Sequence, residues 1–242
     1  MTYCIGLKLN DGMIFASDSR TNAGMDDVAK FCKMSVFERR GDRVIVLLSS
    51  GSLSGTQAVI SVLEQRCMAL DTVPNLWGAL TMFDVAILVS DAMREVDRRD
   101  GQYLQDTESG FNASFIVGGQ IRGEAVRLFR IYAEGNFIEA GEDTPYFQTG
   151  ETKYGKPIID RVIKRATSLA DATKCVLVSF DSTMRSNISV GMPIDLLCYE
   201  RDSLEVLKRR RIDHDDVYFK ALTQKWGEGT REVFRQLPEQ LW

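Results

Sequence analysis

The sequence predicts an α+β fold, a four-layer αββα sandwich of two antiparallel sheets flanked by helices, with a helical C-terminal extension. Three observations predict it. Runs of strand-like segments followed by a pair of helical segments occur twice along the chain, and such runs bury their apolar faces most simply as two stacked sheets with helices outside. No stretch rich in Pro, Gly or Ser divides the chain. Its 242 residues suffice for one substantial core.

The first strand is expected at residues 3–9, turning through Asn10-Asp11-Gly12 into a partner at 13–17, because Asn and Asp before Gly supply the positive backbone angles a tight hairpin needs. A second pair, 33–37 and 43–49, flanks Gly41-Asp42. Ser52 or Ser54 then caps a helix with Val59, Val62, Leu63, Cys67 and Leu70 on one face,. A longer helix is expected over 75–98, packed on more than one side, with Leu76, Leu80, Phe83 and Ile87 on one flank and Met82, Val85, Val89 and Val96 on another,.

The alternation then returns. Segments 113–121, 125–133 and 137–140 read as strands separated by Arg122-Gly123 and Glu134-Gly135-Asn136 turns,. Helices at 154–165 and 168–184 and a strand at 194–199 follow. Residues 1–200 form the expected core, and 201–242 the extension, packed on the core or on a neighbouring subunit. In it, Lys208-Arg209-Arg210-Arg211 precedes Asp213, Asp215 and Asp216 and reads as a charged helix surface with i,i+4 pairs such as Arg209 with Asp213. Trp226, Phe234, Leu237 and Trp242 are its packing residues.

Composition bounds the function. Hydrophobic residues make up 44%, charged residues 26%, and the net charge is -4, which gives no polyanion-binding character; the basic run lacks the interleaved aromatics of a single-strand-binding surface. Neither a nucleic-acid nor a membrane partner is expected, since no apolar run approaches spanning length. The five cysteines, Cys4, Cys32, Cys67, Cys175 and Cys198, are widely spaced in apolar segments and read as reduced residues of a cytoplasmic protein. They have no metal-ligand spacing, and no cofactor or metal is expected. His214 is the only histidine, so a His-based triad or a multi-histidine metal site is not available. Gly51-Ser52-Leu53-Ser54-Gly55 places Leu where a nucleophile elbow needs Ser, and lacks the Gly-Lys-Ser/Thr ending of a phosphate-binding loop,; a turn and helix cap is the better reading.

A chemistry that needs no histidine starts at Thr2. Removal of Met1 would make it the first residue, uniting a hydroxyl nucleophile with an α-amine that titrates near ~7.7–8.0. The hairpin brings Asp18, at the end of its second strand, towards the chain start, and Lys33 opens the next strand-like segment. A carboxylate beside a lysine fixes the ammonium, which can then favour the deprotonated hydroxyl.

The opening Thr, "ASDSR", Lys33 in "FCKMSVF" and "LLSSG" resemble the proteasome β-subunit pattern of the Ntn-hydrolase family. "SDSRTNAG" and "DSTMRSNISVGMP" resemble its bacterial Anbu (ancestral β-subunit) branch, over roughly residues 1–200. The resemblance implies a threonine-type peptidase or amidohydrolase with Thr2 as nucleophile, Lys33 tuning it, Asp18 orienting Lys33, Arg20 bracing the site and the Gly51 N–H stabilising the oxyanion. It implies Asp181 as the acid that positions the terminal amine, and Thr21 and Ser49 as substrate-binding residues. Met184 stands where the family has serine, so Ser182 or Ser186 must substitute; in "FQTGETKYG", Thr149 or Thr152 meets the family's preceding serine only after a register shift. The implied partners are a peptide or amide substrate, further copies in a ring or open helical homo-oligomer, and an unidentified operon companion. The alternative is an assembly or binding scaffold with weak or no hydrolase activity.

Overall fold

Tyr3–Lys8 (β1) and Gly12–Asp18 (β2) pair antiparallel, and Leu9 N–H donates to the Gly12 carbonyl at 2.8 Å to close the turn. The computed structural model describes residues 1–22, 28–69, 73–104 and 112–240. Leu70, Trp242 and the end of the "SDSRTNAG" stretch lie outside them. A short hairpin, Arg20–Asn22 (β3) with Val28–Lys30 (β4), follows β2. Next come Met34–Arg39 (β5), Arg43–Gly51 (β6) and two helices, Leu53–Met68 (α1) and Met82–Leu104 (α2). Ala113–Ile121 (β7), Arg127–Ile131 (β8), Phe137–Glu139 (β9) and Tyr146–Gly150 (β10) precede Lys156–Val162 (α3) and Leu169–Ser186 (α4). The chain ends with Ile194–Glu200 (β11), Lys208–Ile212 (β12) and Val217–Arg235 (α5).

Ten strands form two five-stranded antiparallel sheets, ordered β10-β1-β2-β11-β12 and β5-β6-β7-β8-β9. Strand periodicity of two sends alternate residues to opposite faces, and here both faces are covered. Tyr3, Ile5, Leu7, Ile14 and Ala16 face α3, α4 and α5, in a cluster with Val176, Phe180 and Phe219. Cys4, Met13 and Phe15 point the other way, between the sheets, against Val46, Leu48, Ile116 and Leu128. Ile45, Leu47, Phe115 and Val117 complete the second helix-covered face with α1 and α2. The four layers and the antiparallel sheets are those the sequence predicts.

Local chemistry sets the helix boundaries. Ser52 caps α1, its Oγ accepting from Gly55 N–H at 3.3 Å, which fulfils the turn-and-cap reading of that glycine-flanked stretch. Ser168 caps α4 through Asp171 N–H. The helix expected from residue 75 starts instead at Met82. Asn75 folds a local turn, its Oδ1 accepting from Trp77 and Gly78 N–H, and a reciprocal box follows: Thr81 N–H donates to Asp84 Oδ2 at 2.9 Å and Asp84 N–H to Thr81 Oγ1 at 3.1 Å. Two side chains thus satisfy the free helix-start amides at 82 rather than 75.

The basic run is also corrected. It forms β12, not a helix, with Arg210 opposite Leu196 and Arg211 opposite Asp195. Arg211 Nε meets Asp195 at 3.1 Å, and Arg210 reaches Asp216 at 2.5 Å; among the described residues the Arg209–Asp213 pair does not form. Cationic side chains suit an edge strand because they discourage pairing with another edge. Asp216 additionally caps α5 through Phe219 N–H at 2.8 Å. Phe219 is buried and Leu222 packs beside it, whereas Trp226, Phe234 and Leu237 are exposed.

Gly118, in mid-β7, lets the sheets approach: a Cβ there would lie 2.8 Å from Met13, Phe15 and Leu128 side chains. Overpacking such a site forces side chains off their preferred rotamers. Gly118→Val is therefore expected to destabilise the protein by about 1–3 kcal/mol, read from thermal unfolding at fixed protein concentration; an unchanged midpoint would show that the sheet gap has slack.

Candidate active site

The chain start is tied on both sides. Tyr3 sits opposite Gly150 of β10, Thr2 C=O accepts from Glu151 N–H at 2.6 Å, and Tyr3 N–H donates to Asp18 Oδ1 at 3.0 Å. Asp18 is the last residue of β2, so the N-terminal hairpin itself carries the carboxylate back beside Thr2. Asp18 is fully buried. Lys33, also buried, donates through Nζ to Asp18 Oδ1 at 2.8 Å and to the Arg20 carbonyl at 2.7 Å. Two of the three ammonium donors are thereby fixed, leaving a third for a neighbour.

Burial pushes the Asp18 carboxyl above its ordinary range, against the opposing pull of the Lys33 ammonium and the N–H groups of Tyr3 and Gly191. The pair holds because each charge has hydrogen-bond partners in addition to the other. Ser49 N–H donates to the Lys33 carbonyl at 2.9 Å, anchoring the lysine to β6. Arg20 Nη1 donates to the Ile188 carbonyl at 2.7 Å, so its guanidinium ties β3 to the segment after α4 while its own carbonyl holds Lys33.

A cleft of about 440 Å³ opens over this pair, lined by Thr2, Lys33, Thr21, Ser49 and Gly51, with Met1 at its mouth. Gly51 ends β6 with φ +102°, a conformation glycine adopts without strain, and a side chain there would strike the Asn112 carbonyl. Thr2 is buried, whereas Met1 is 65% exposed. Burial is the first cause, and the Lys33 charge the second, of an α-amine at Met1 held below its ordinary value of 8.0. Five of the expected residues, Thr2, Lys33, Gly51, Thr21 and Ser49, thus share one cleft, with Asp18 directly behind Lys33.

Asp181, Ser182 and Ser186 are placed elsewhere. Asp181 lies near the end of α4 with both carboxylate oxygens 3.0 Å from Arg185 Nε, and Ser186 borders a separate depression that also includes Arg20. Thr149 is buried in a hydroxyl cluster with Ser50 and Ser114, at 2.6 and 2.8 Å. Sequence reasoning missed Glu151, a buried carboxylate next to the residue that pairs with the chain start; its position directly after the β10 glycine was the available signal. Among the described residues no cluster of His, Cys, Asp or Glu could hold a metal ion.

Replacing Lys33 by a neutral side chain of similar length strands the Asp18 charge. Lys33→Met is expected to cost about 3–5 kcal/mol near neutral pH, measured by denaturant unfolding. A carboxyl whose folded-state pKa is raised is unfavourable above that pKa and is relieved as pH falls through it. The deficit of the variant should therefore shrink on acidification towards pH 5; a deficit that stays constant or grows would mean that Asp18 is not the stranded charge.

No protein-family model matches the chain, and no curated protein matches it significantly. Solved structures do. Anbu (ancestral beta-subunit) from Yersinia bercovieri is 47% identical, covering 99% of each chain with a TM-score of 0.93. Anbu from Hyphomicrobium sp. strain MC1 is 47% identical over 99% of this chain and 100% of that one, TM-score 0.92. The helical assembly of the Anbu complex from Pseudomonas aeruginosa is 45% identical over 99% and 98%, TM-score 0.93. With near-half identity over almost its whole length and the same fold, the chain belongs to the Anbu family of proteasome-like ancestral β-subunits.

Proposed function

We propose that the protein is a proteasome-like N-terminal threonine hydrolase, a threonine-type peptidase or amidohydrolase that cleaves peptide or amide bonds inside a self-assembled homo-oligomer after removal of Met1. The observation that carries this reading is the buried Asp18–Lys33 pair directly under a cleft that Thr2, Lys33 and Gly51 line together. Exposure of Met1 leaves it open to an aminopeptidase. Free cysteines throughout the described residues fit a cytoplasmic location, and no described helix is long and apolar enough to cross a membrane.

In the proposed reaction the Thr2 hydroxyl attacks the substrate carbonyl carbon and its proton passes to the neutral Thr2 α-amine. The Lys33 ammonium, held by Asp18, lowers the cost of the developing alkoxide. The negative charge that gathers on the carbonyl oxygen is met by the Gly51 N–H. Collapse expels the amine product, which takes the proton from the α-ammonium, and water then cleaves the acyl ester to regenerate Thr2. Thr21 and Ser49, which both line the cleft, bind the substrate backbone, and Arg20 braces the lysine.

The helical assembly of the Pseudomonas aeruginosa relative and the exposed Trp226, Phe234 and Leu237 of the C-terminal extension support contacts between copies through residues 201–242. Protein with a native N-terminus is expected to hydrolyse a member of a small amide and ester panel. Thr2→Ala, or one extra residue before Thr2, should reduce turnover by about 10³-fold or more without altering oligomer size. Because the amine must be neutral, the rate should rise with pH through the titration of the Thr2 α-amine, in the neutral to mildly alkaline range. A Met-free, fully assembled protein that hydrolyses nothing in the panel would leave only an assembly or binding role.

A further inference from the structure

Asp181 receives Arg185 Nε on both of its oxygens at 3.0 Å. A different carboxylate meets the chain start. Glu151 follows β10, donates its N–H to the Thr2 carbonyl at 2.6 Å and is 6% exposed. Its Oε2 accepts from Asn187 Nδ2 at 2.7 Å, and the same Nδ2 lies 3.9 Å from Met1 Sδ. The Met1 side chain, Asn187 and the Glu151 carboxylate therefore meet beside the chain start. Asn187 is itself fixed: its N–H donates to the Thr183 carbonyl at 2.8 Å, and its Oδ1 accepts from Ser189 N–H at 2.9 Å. A buried carboxylate held by one neutral amide and by Lys153 at 3.7 Å has acceptor capacity to spare.

We infer that Glu151, oriented by Asn187, is the positioning residue for the Thr2 α-amine: once Met1 is gone, the amine turns towards this carboxylate and is held there with its lone pair available to the Thr2 hydroxyl. The inference rests on the threonine-hydrolase reading. It assigns the role that sequence reasoning gave to Asp181, Ser182 and Ser186 to a side chain that follows β10 and meets the end of α4 at Asn187. Glu151 acts through the amine and does not touch substrate. In the chain that keeps Met1, the charges acting on its amine are Lys33, which lowers its proton affinity, and Asp18 and Glu151, which raise it. A carboxylate that holds the Thr2 amine favours its protonated form as well as fixing where it points.

The test titrates the amine itself, without relying on turnover. Met-free protein is acetylated with a trace of acetic anhydride across pH, and labelling of the N-terminal peptide is read by mass spectrometry against an internal amine standard. Glu151→Gln is expected to lower the labelling midpoint by about one pH unit, a tenfold change in proton affinity, with oligomer size unchanged. Asn187→Ala, which frees the carboxylate but keeps its charge, should lower it by a smaller amount, and it decides the matter should the Gln variant not fold. Asp181→Asn should leave the midpoint where it is. An unmoved midpoint in the foldable Glu151 or Asn187 variants, or a larger shift from Asp181→Asn, would overturn the assignment. Absence of hydrolysis in the wild type together with the expected shifts would refute the hydrolase reading and leave the Glu151 contact standing.

Discussion

Everything around the chain start depends on the buried ion pair between Asp18 and Lys33. One carboxylate oxygen takes the Lys33 ammonium at 2.8 Å and the Tyr3 N–H at 3.0 Å, so a single atom links the first residue of β1, the end of β2 and the residue that precedes β5. Neither charge tolerates this position alone, because desolvation of an unpaired ion costs several kcal/mol. The pair is therefore both a structural clamp and a source of positive charge at a fixed point under the cleft. Those two roles cannot be separated by deleting the lysine, since its loss unsettles the first strand as well as the chemistry.

The sandwich supplies the rest of the geometry. Burying both faces of both sheets makes β1 rigid from its first residue, with β10 on one side and β2 on the other. Chain termini are ordinarily poorly ordered unless tied down; here the tether is a strand inside a sheet, extended one residue further by the hydrogen bond from Glu151 to the Thr2 carbonyl. The second sheet delivers Gly51 at the end of β6, so the cleft lies where the open ends of the two sheets meet.

Much of this was legible in the sequence. Asn10-Asp11-Gly12 announced the hairpin, and the hairpin brought Asp18 to Thr2 by geometry alone. Ser52 announced a cap. What escaped had specific physical causes. The start of α2 was hidden because Leu76, buried in a turn, and Leu80, exposed just before the helix, stand at helical spacing with Phe83 and Ile87, while the Thr81–Asp84 box that begins the helix lies inside the apolar run. Lys208 to Arg211 looked helical because pairing with Asp213 ignored the strand partner, Asp195, which lies sixteen residues upstream of Arg211. The Asp181 partner, Arg185, stands one helical turn away; Glu151 carries no local signal of its own because it is placed by β10, a strand of only five residues. Turn and cap signals at Asn10-Asp11-Gly12 and Ser52 were readable; the strand partner of the basic run, set by long-range pairing, was not.

The central claim is that Thr2 presents a hydroxyl and a free α-amine to one carbonyl carbon over Lys33. A peptidyl α′,β′-epoxyketone tests both groups at once, since the hydroxyl adds to its ketone and the amine then opens its epoxide, closing a six-membered ring with no atoms lost. Tandem mass spectrometry of the native protein after incubation should find the N-terminal peptide, beginning at Thr2, heavier by the whole mass of the probe and bonded at Thr2 through both oxygen and nitrogen. Met1 retained, or a fully assembled Met-free protein that remains unmodified at Thr2, would contradict the account.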